Sequence, residues 1–251
     1  MSSEKKQTLL TRNNNKTMKG EKLGYRTYIL YMSPFTFNPT GKNVCSHASK
    51  GCAESCLVGS GFGGMYDNVK QGRIKKTEWF LKDRKDFLKT LRTEISKAIL
   101  LNDKANEKSD VKTILTFRLN GTSDLAYEKF KIFEGDKNIF ELFPNVQFYD
   151  YTKNYNRFKK PLPKNYHLTF SRSETNGDKA IEVLKQGFNV AMVFNKVPTT
   201  YEGFEVINGD NDDLRFLDKK NVIVGLKYKN MTGKGANNKL AFESGFAISI
   251  K

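Results

Sequence analysis

Cysteine is scarce in this chain: three residues in 251, all inside the stretch Asn43-Val44-Cys45-Ser46-His47-Ala48-Ser49-Lys50-Gly51-Cys52-Ala53-Glu54-Ser55-Cys56. So few thiols argue against a disulfide scaffold. Long apolar runs are also missing. The longest, such as Val190-Ala191-Met192-Val193-Phe194, are strand-sized and too short to cross a bilayer, so no membrane partner is expected. The opening Met1-Ser2-Ser3-Glu4-Lys5-Lys6-Gln7 has no apolar stretch of the kind a secretory signal carries. No internal repeat and no extended low-complexity tract is present. These absences predict a soluble protein of the cytoplasm. A Gly-x-Gly-x-x-Gly turn between strand and helix is lacking too, which argues against a flat dinucleotide-binding sheet.

Acidic residues are outnumbered, with 27 Asp and Glu against 43 Lys and Arg, for a net charge of +16. Such a field attracts polyanions, so a nucleic acid or nucleotide is an expected partner. From Tyr151 to Ser173 there is no acidic residue at all, while Lys153, Arg157, Lys159, Lys160, Lys164 and Arg172 alternate with Tyr151, Tyr155, Phe158 and Tyr166. Interleaved cations and rings can track a phosphate backbone and stack bases, although a solvated basic loop has the same composition.

Hydrophobicity is ordinary and 12% of residues are aromatic, which predicts a folded globule. Residues 1–24 form a basic N-terminal arm or β-hairpin, with an Asn13-Asn14-Asn15-Lys16 turn, and residues 25–251 form a single domain. In it, Tyr25–Met32 is the first strand, and Gly59–Gly64 is a flexible link after the cysteines. Phe87, Leu88, Leu91, Ile95, Ala98 and Ile99 share one helical stripe that ends before Asn102. Further strands are predicted at Thr113–Leu119, Val146–Tyr151, His167–Ser171, Asn189–Phe194, Phe204–Ile207 and Val222–Leu226. Helices are predicted around Tyr127–Phe143 and across Ala180–Leu184. Apolar strands alternating with helices indicate an α/β fold with a parallel sheet, read here as a partial (β/α) barrel of about six strands.

Function in such folds gathers at the carboxyl ends of the strands. Here those ends are polar: the cysteine loop, Arg118-Leu119-Asn120-Gly121-Thr122-Ser123-Asp124, Asp150-Tyr151-Thr152-Lys153 and Ser171-Arg172-Ser173-Glu174, then Asn208–Asp213 and Lys227. Any one of these could simply cap a helix or make a turn. Their convergence with Cys45, Cys52 and Cys56 points to a site. Three thiolates leave one position of a soft metal centre open, as in a [4Fe-4S] cluster with one unique iron. The alternatives are a closed zinc site that adds His47, or reduced thiols with no metal. Asp150, Tyr151 and Lys153 form the candidate catalytic set, with Asp150 and Tyr151 able to act in proton or hydrogen transfer and Lys153 able to hold an anionic substrate. Arg118 and Lys227 are candidates for holding an anionic substrate.

Two resemblances follow. A first strand, a three-cysteine loop and repeated strand–helix units resemble the layout of the radical S-adenosylmethionine enzymes. That likeness implies a [4Fe-4S] cluster, S-adenosylmethionine on its open iron and an electron donor. It also implies Asn120, Thr122 and Asp124 near the cofactor's amine, with Ser171, Ser173 and Glu174 near its ribose. The loop departs from the usual Cys-x-x-x-Cys-x-x-Cys, because six and then three residues separate the cysteines and Ser55 precedes Cys56. Nearly the whole chain resembles the phage proteins named after mycobacteriophage gene product 88. The matching stretches are Cys45–Cys52, Arg118–Asp124, Phe148–Lys153, Leu168–Glu174 and Val206–Asp210. The combined expectation is a phage iron–sulfur enzyme in the host cytoplasm, acting on a nucleotide, nucleic acid or peptide. Non-radical use of the open iron, as Lewis acid or sulfur carrier, is the second reading. A nucleic-acid-binding protein with a structural metal is the third.

Overall fold

The computed structural model describes residues 7–12, 15–34, 37–56, 66–229 and 235–251. The glycine-rich link and Asn13-Asn14 lie outside them. One mixed sheet of ten strands organises the chain. It comprises β1 (Leu10–Thr11), β2 (Tyr25–Leu30), β3 (Ile114–Arg118), β4 (Gln147–Thr152), β5 (Tyr166–Ser171), β6 (Val190–Phe194), β7 (Thr200–Tyr201), β8 (Phe204–Asn208), β9 (Ile223–Lys227) and β10 (Ala247–Ile248). The order is β1-β2-β3-β4-β5-β6-β9-β8-β7, and every pairing from β2 to β8 is parallel. The path ends at β1 and β7 and does not close on itself. The expected set of about six strands is therefore corrected to a ten-stranded open sheet. The extra strands β1, β7 and β10 are two-residue pieces, too short to show any periodicity.

The N-terminal arm is a strand and a helix. β1 runs antiparallel to β2, with Leu10 opposite Leu30, and α1 (Asn15–Glu21) lies between them. The Glu94 carboxylate accepts from the backbone N–H of Leu9 and of Leu10, both at 2.8 Å, which ties the arm to the helical layer. The predicted helix around Tyr127–Phe143 is not continuous. It is a 3₁₀ turn, Tyr127–Lys129, and a short helix α5 (Ile139–Leu142) capped by Asn138 and Glu141. Gly135 and Asp136 between them have φ of 71° and 52°, which a right-handed helix cannot contain.

Long helices α3 (Asp67–Lys82) and α4 (Arg84–Glu107), together with α6 (Gly177–Lys185), cover one face of the sheet. Phe87, Leu88, Leu91, Ile95 and Ala98 are buried there, as their spacing predicts, and Ile99 is partly buried. They meet Leu115, Phe117, Phe148, Leu168, Phe170 and Met192 from the strands. The helix runs past Asn102 to Glu107 because the side chains of Asn102 and Asn106 bond Thr113 and so pin the last turns to the chain entering β3.

The opposite face is polar and aromatic. Thr27 meets Thr116 at 2.8 Å, and Tyr149, Tyr151, His167 and Thr169 follow by strand alternation. A segment of the β8–β9 connection lies across it. Phe216 packs edge-on against Tyr25 and tilted against Tyr149, at 5.4 and 5.3 Å, and Asp213 pairs with Arg118 at 2.5 Å. Arg215 is 1% exposed, between Asp212 and Asp218.

His167 sits beside this buried guanidinium, and its Nε2 has no hydrogen-bond partner among the described residues. Burial, with Arg215 adding, lowers its pKa to about 4. Between that value and the ordinary one the unfolded chain binds the extra proton, so acidification through this window costs about 1.4 kcal/mol per pH unit. Replacing His167 by Asn removes this contribution. Urea unfolding of both proteins at neutral pH and near pH 5 is expected to show wild type losing its advantage, or increasing its deficit, on the acid side.

Candidate functional site at the cysteine loop

The cysteine loop leaves the carboxyl end of β2 and is held by the ends of the next three strands. After β3, the Thr122 hydroxyl donates to Met32 O at 2.5 Å and accepts from Met32 N at 3.0 Å. Asp124 N donates to Val44 O at 2.8 Å, and the Cys45 thiol lies 3.6 Å from Thr122 O. After β4, Lys153 N donates to Asp124 Oδ2 at 2.8 Å, while its ammonium donates to Ser171 Oγ, at the end of β5, at 2.9 Å. Beyond β5, Glu174 grips the short helix α2 (Lys50–Glu54) that carries Cys52. One carboxylate oxygen accepts from Gly51 N and the other from Ser49 Oγ, both at 2.7 Å. Ser49 Oγ also accepts from Cys52 N at 3.3 Å, capping that helix. Glycine at position 51 lets the carboxylate come this close. A Cβ there would stand 2.8 Å from Ser244 Oγ and 2.9 Å from Glu174 Oε1.

Cys45 is close enough to Cys52 and Cys56 to feel their charge. Burial, reinforced by Asp124, Cys56 and Cys52, pushes the Cys45 thiol well above its ordinary pKa. Burial pulls Lys153 down, but Cys52, Asp124 and Cys45 more than offset it, and its ammonium is held above the ordinary value. The donor set is three soft thiols with one cation beside them, which suits an iron–sulfur cluster by ligand chemistry. Among the described residues, no group of three or more His, Cys, Asp or Glu side chains is arranged to hold a metal ion as it stands. His47, the fourth ligand a closed zinc site would need, is exposed and paired through Nδ1 with Ser46 Oγ at 3.0 Å.

The structure brings some of the predicted residues together and separates others. Lys153, Thr122, Asp124, Ser171 and Glu174 surround the cysteines, but their polar atoms are spent on building the loop. Asn120 lies beneath the rim. Its side chain accepts from Ser123 Oγ and Leu125 N, both at 2.8 Å, and donates to Leu125 O. Ser173 is buried with its N–H on Asn176. Asp150 and Tyr151, adjacent on β4, point to opposite faces. Asp150 is fully buried on the helical side, and Tyr151 lies under the Arg118 guanidinium, 4.8 Å from ring centroid to carbon. Arg118 is itself buried against Asp213. Lys227 stands at the end of β9 and is not part of this constellation. Ser49 and Gly51 were missed by sequence reasoning, and Arg157, read there as part of a basic surface, is instead buried against Glu128 and Asp124. For Ser49 a signal existed, since a serine three residues before Cys52 is an N-cap pattern.

The basic, ring-rich segment is also used internally. Phe158 and Tyr166 are buried, and Arg157 pairs with Glu128 at 2.8 Å, Asp124 at 3.4 Å and Tyr166 Oη at 3.0 Å. The Tyr155 ring lies between Lys159 and Lys179, and its hydroxyl bonds Glu182. Phe158 and Tyr166 are thus not presented for stacking on bases, whereas Tyr155 is partly exposed and Lys159, Lys160 and Lys164 are exposed. No described helix is long and apolar enough to cross a membrane.

Fold and site together define an open, mostly parallel α/β sheet protein with a thiol loop clasped at the carboxyl rim. The chain belongs to the gene product 88 family, whose model matches residues 8–245. This agrees with the resemblance read from the sequence, and the match does not extend to the radical S-adenosylmethionine enzymes. Among curated proteins and among solved structures, none matches the chain.

Proposed function

We propose that Cys45, Cys52 and Cys56 hold a [4Fe-4S] cluster with one iron open to a ligand. On this reading the protein is an iron–sulfur enzyme of radical S-adenosylmethionine-like type, acting on a nucleotide, nucleic acid or peptide, on a sheet curved as a partial (β/α) barrel. What supports it is that all three cysteines of the chain lie in one loop leaving the carboxyl end of β2, with Cys45 under the influence of Cys52, Cys56 and the Lys153 ammonium. A cluster held by three thiolates is net negative, and Lys153 supplies a compensating charge. When bound, such a cluster offers an open iron and one electron to a chelating ligand. The chain's own residues do the positioning. Glu174 fixes the helix of Cys52, Thr122 and Asp124 fix the approach of Cys45, and Ser171 orients Lys153. The metal would draw the thiols into its coordination sphere, since they do not close on one point without it.

S-adenosylmethionine is the ligand to test first. Its addition to the anaerobically reconstituted, reduced protein is expected to alter the cluster's EPR spectrum. An unchanged spectrum would remove the radical reading and leave the open iron to Lewis-acid or sulfur-transfer chemistry with an electron donor unnecessary.

A further inference from the structure

A cavity opens on the same rim, at the far side of the sheet from β2. It has a volume of about 320 Å³ and is lined by Asn195, Lys196, Val197, Asn208, Asp210 and Lys227. These residues stand at or just beyond the carboxyl ends of β6, β8 and β9, three neighbouring parallel strands. Ligands of open α/β sheets bind at such ends, and the volume is at the lower limit of small-molecule sites.

The charges of this cavity are unbalanced. Its single carboxylate, Asp210, is already satisfied: Oδ2 accepts from Lys227 N at 2.8 Å and Oδ1 pairs with the Lys229 ammonium at 3.0 Å. Its carbonyl accepts from the Lys19 ammonium at 2.5 Å. Lys196 and Lys227, by contrast, are exposed, and neither ammonium has a carboxylate partner among the described residues. Asn208, which lines the opening, accepts at its Oδ1 from Asp210 N at 3.0 Å, so its remaining side-chain groups are the amide N–H donors. Two unpaired ammonium groups and a free carboxamide donor around one opening are what a phosphate dianion requires. Beneath the opening the chain is packed: a Cβ on Gly225 would stand 2.6 Å from Val197 Cγ1, so the glycine lets Val197 seat against β9.

We infer that this cavity binds the phosphate group of a small molecule through Lys196, Lys227 and Asn208. The site is separate from the cysteine loop and needs no metal, so its test runs on the metal-free full-length chain and is independent of the cluster proposal. Inorganic pyrophosphate and a nucleoside diphosphate are titrated calorimetrically at low salt. Saturable one-site binding is expected. Replacing the pair Lys196→Gln and Lys227→Gln should weaken it by about tenfold or more. Replacing Lys85→Gln and Lys89→Gln, exposed on α4, removes the same charge elsewhere and should change affinity by less than about twofold. Tighter binding of the nucleotide identifies a nucleotide site; equal binding identifies a phosphoryl subsite. All four lysines are exposed, and unchanged melting temperatures would show that the folds are intact. No saturable binding of either probe, or equal losses in the two paired variants, would overturn the inference.

Discussion

Replacing Asp150 with Ala is expected to cost about 3–5 kcal/mol, a large part of the stability of an ordinary domain. The carboxyl group is fully buried and receives Asn120 N at 2.7 Å, Asn120 Nδ2 at 3.3 Å and the Tyr166 hydroxyl at 3.1 Å. Ala would leave these donors without an acceptor in the core, which is the expensive half of breaking a buried hydrogen bond. Tyr166 in turn receives Arg157, and Arg157 reaches Asp124, so the network runs from the core to the loop that holds Cys45. Destabilisation should therefore come with loosening at the cysteines.

Asp150→Asn separates charge from shape. Burial raises the Asp150 pKa to about 7, against the pull of Arg118, Asn120, Arg157 and Tyr166. The folded state thus holds a proton that the unfolded chain releases near the ordinary carboxyl value. Stability from this group is fully present in acid and declines by about 1.4 kcal/mol per pH unit as pH rises to about 7. The Asn variant carries no such group. Its stability relative to wild type should improve from pH 5 to pH 8, read from urea midpoints at constant m. A pH-independent difference would mean that the carboxyl group is not strained by its burial.

The second large effect is on metal content. Each of Cys45→Ser, Cys52→Ser and Cys56→Ser should lose most of the iron bound after anaerobic reconstitution, because a hydroxyl is a hard donor where iron–sulfur chemistry wants a thiolate. Folding should survive, since no disulfide is removed and the loop is still clasped by Glu174, Thr122 and Asp124. Circular dichroism and melting temperature measure the fold, and iron per chain measures the site. Retention of iron by all three variants would place any metal elsewhere.

Much of this architecture was legible because burial leaves a periodic signature. The strands around Ile114–Arg118, Gln147–Thr152, Tyr166–Ser171 and Val190–Phe194, and the stripe on α4, are dictated by apolar residues at the proper spacing. The segment across the other face was not legible. Asn208–Asp213 reads as one more polar strand end, yet Asp212 and Asp213 are there to meet Arg215 and Arg118, partners distant in sequence or hidden by the fold. The candidate trio Asp150, Tyr151 and Lys153 failed to converge for a reason available in advance. Neighbours on a strand face opposite sides, so only one of Asp150 and Tyr151 could serve a given site. The cysteine loop was found by scarcity and crowding alone. Its clasp by Glu174, more than a hundred residues later in the chain, was visible only in three dimensions.

The central claim is the cluster, and elemental analysis tests it most directly. Protein purified and reconstituted without oxygen, assayed for iron, acid-labile sulfide and zinc alongside a visible spectrum, is expected to be brown and to carry about four irons and four sulfides per chain. A colourless protein holding one zinc per chain, or no metal at all, would contradict it.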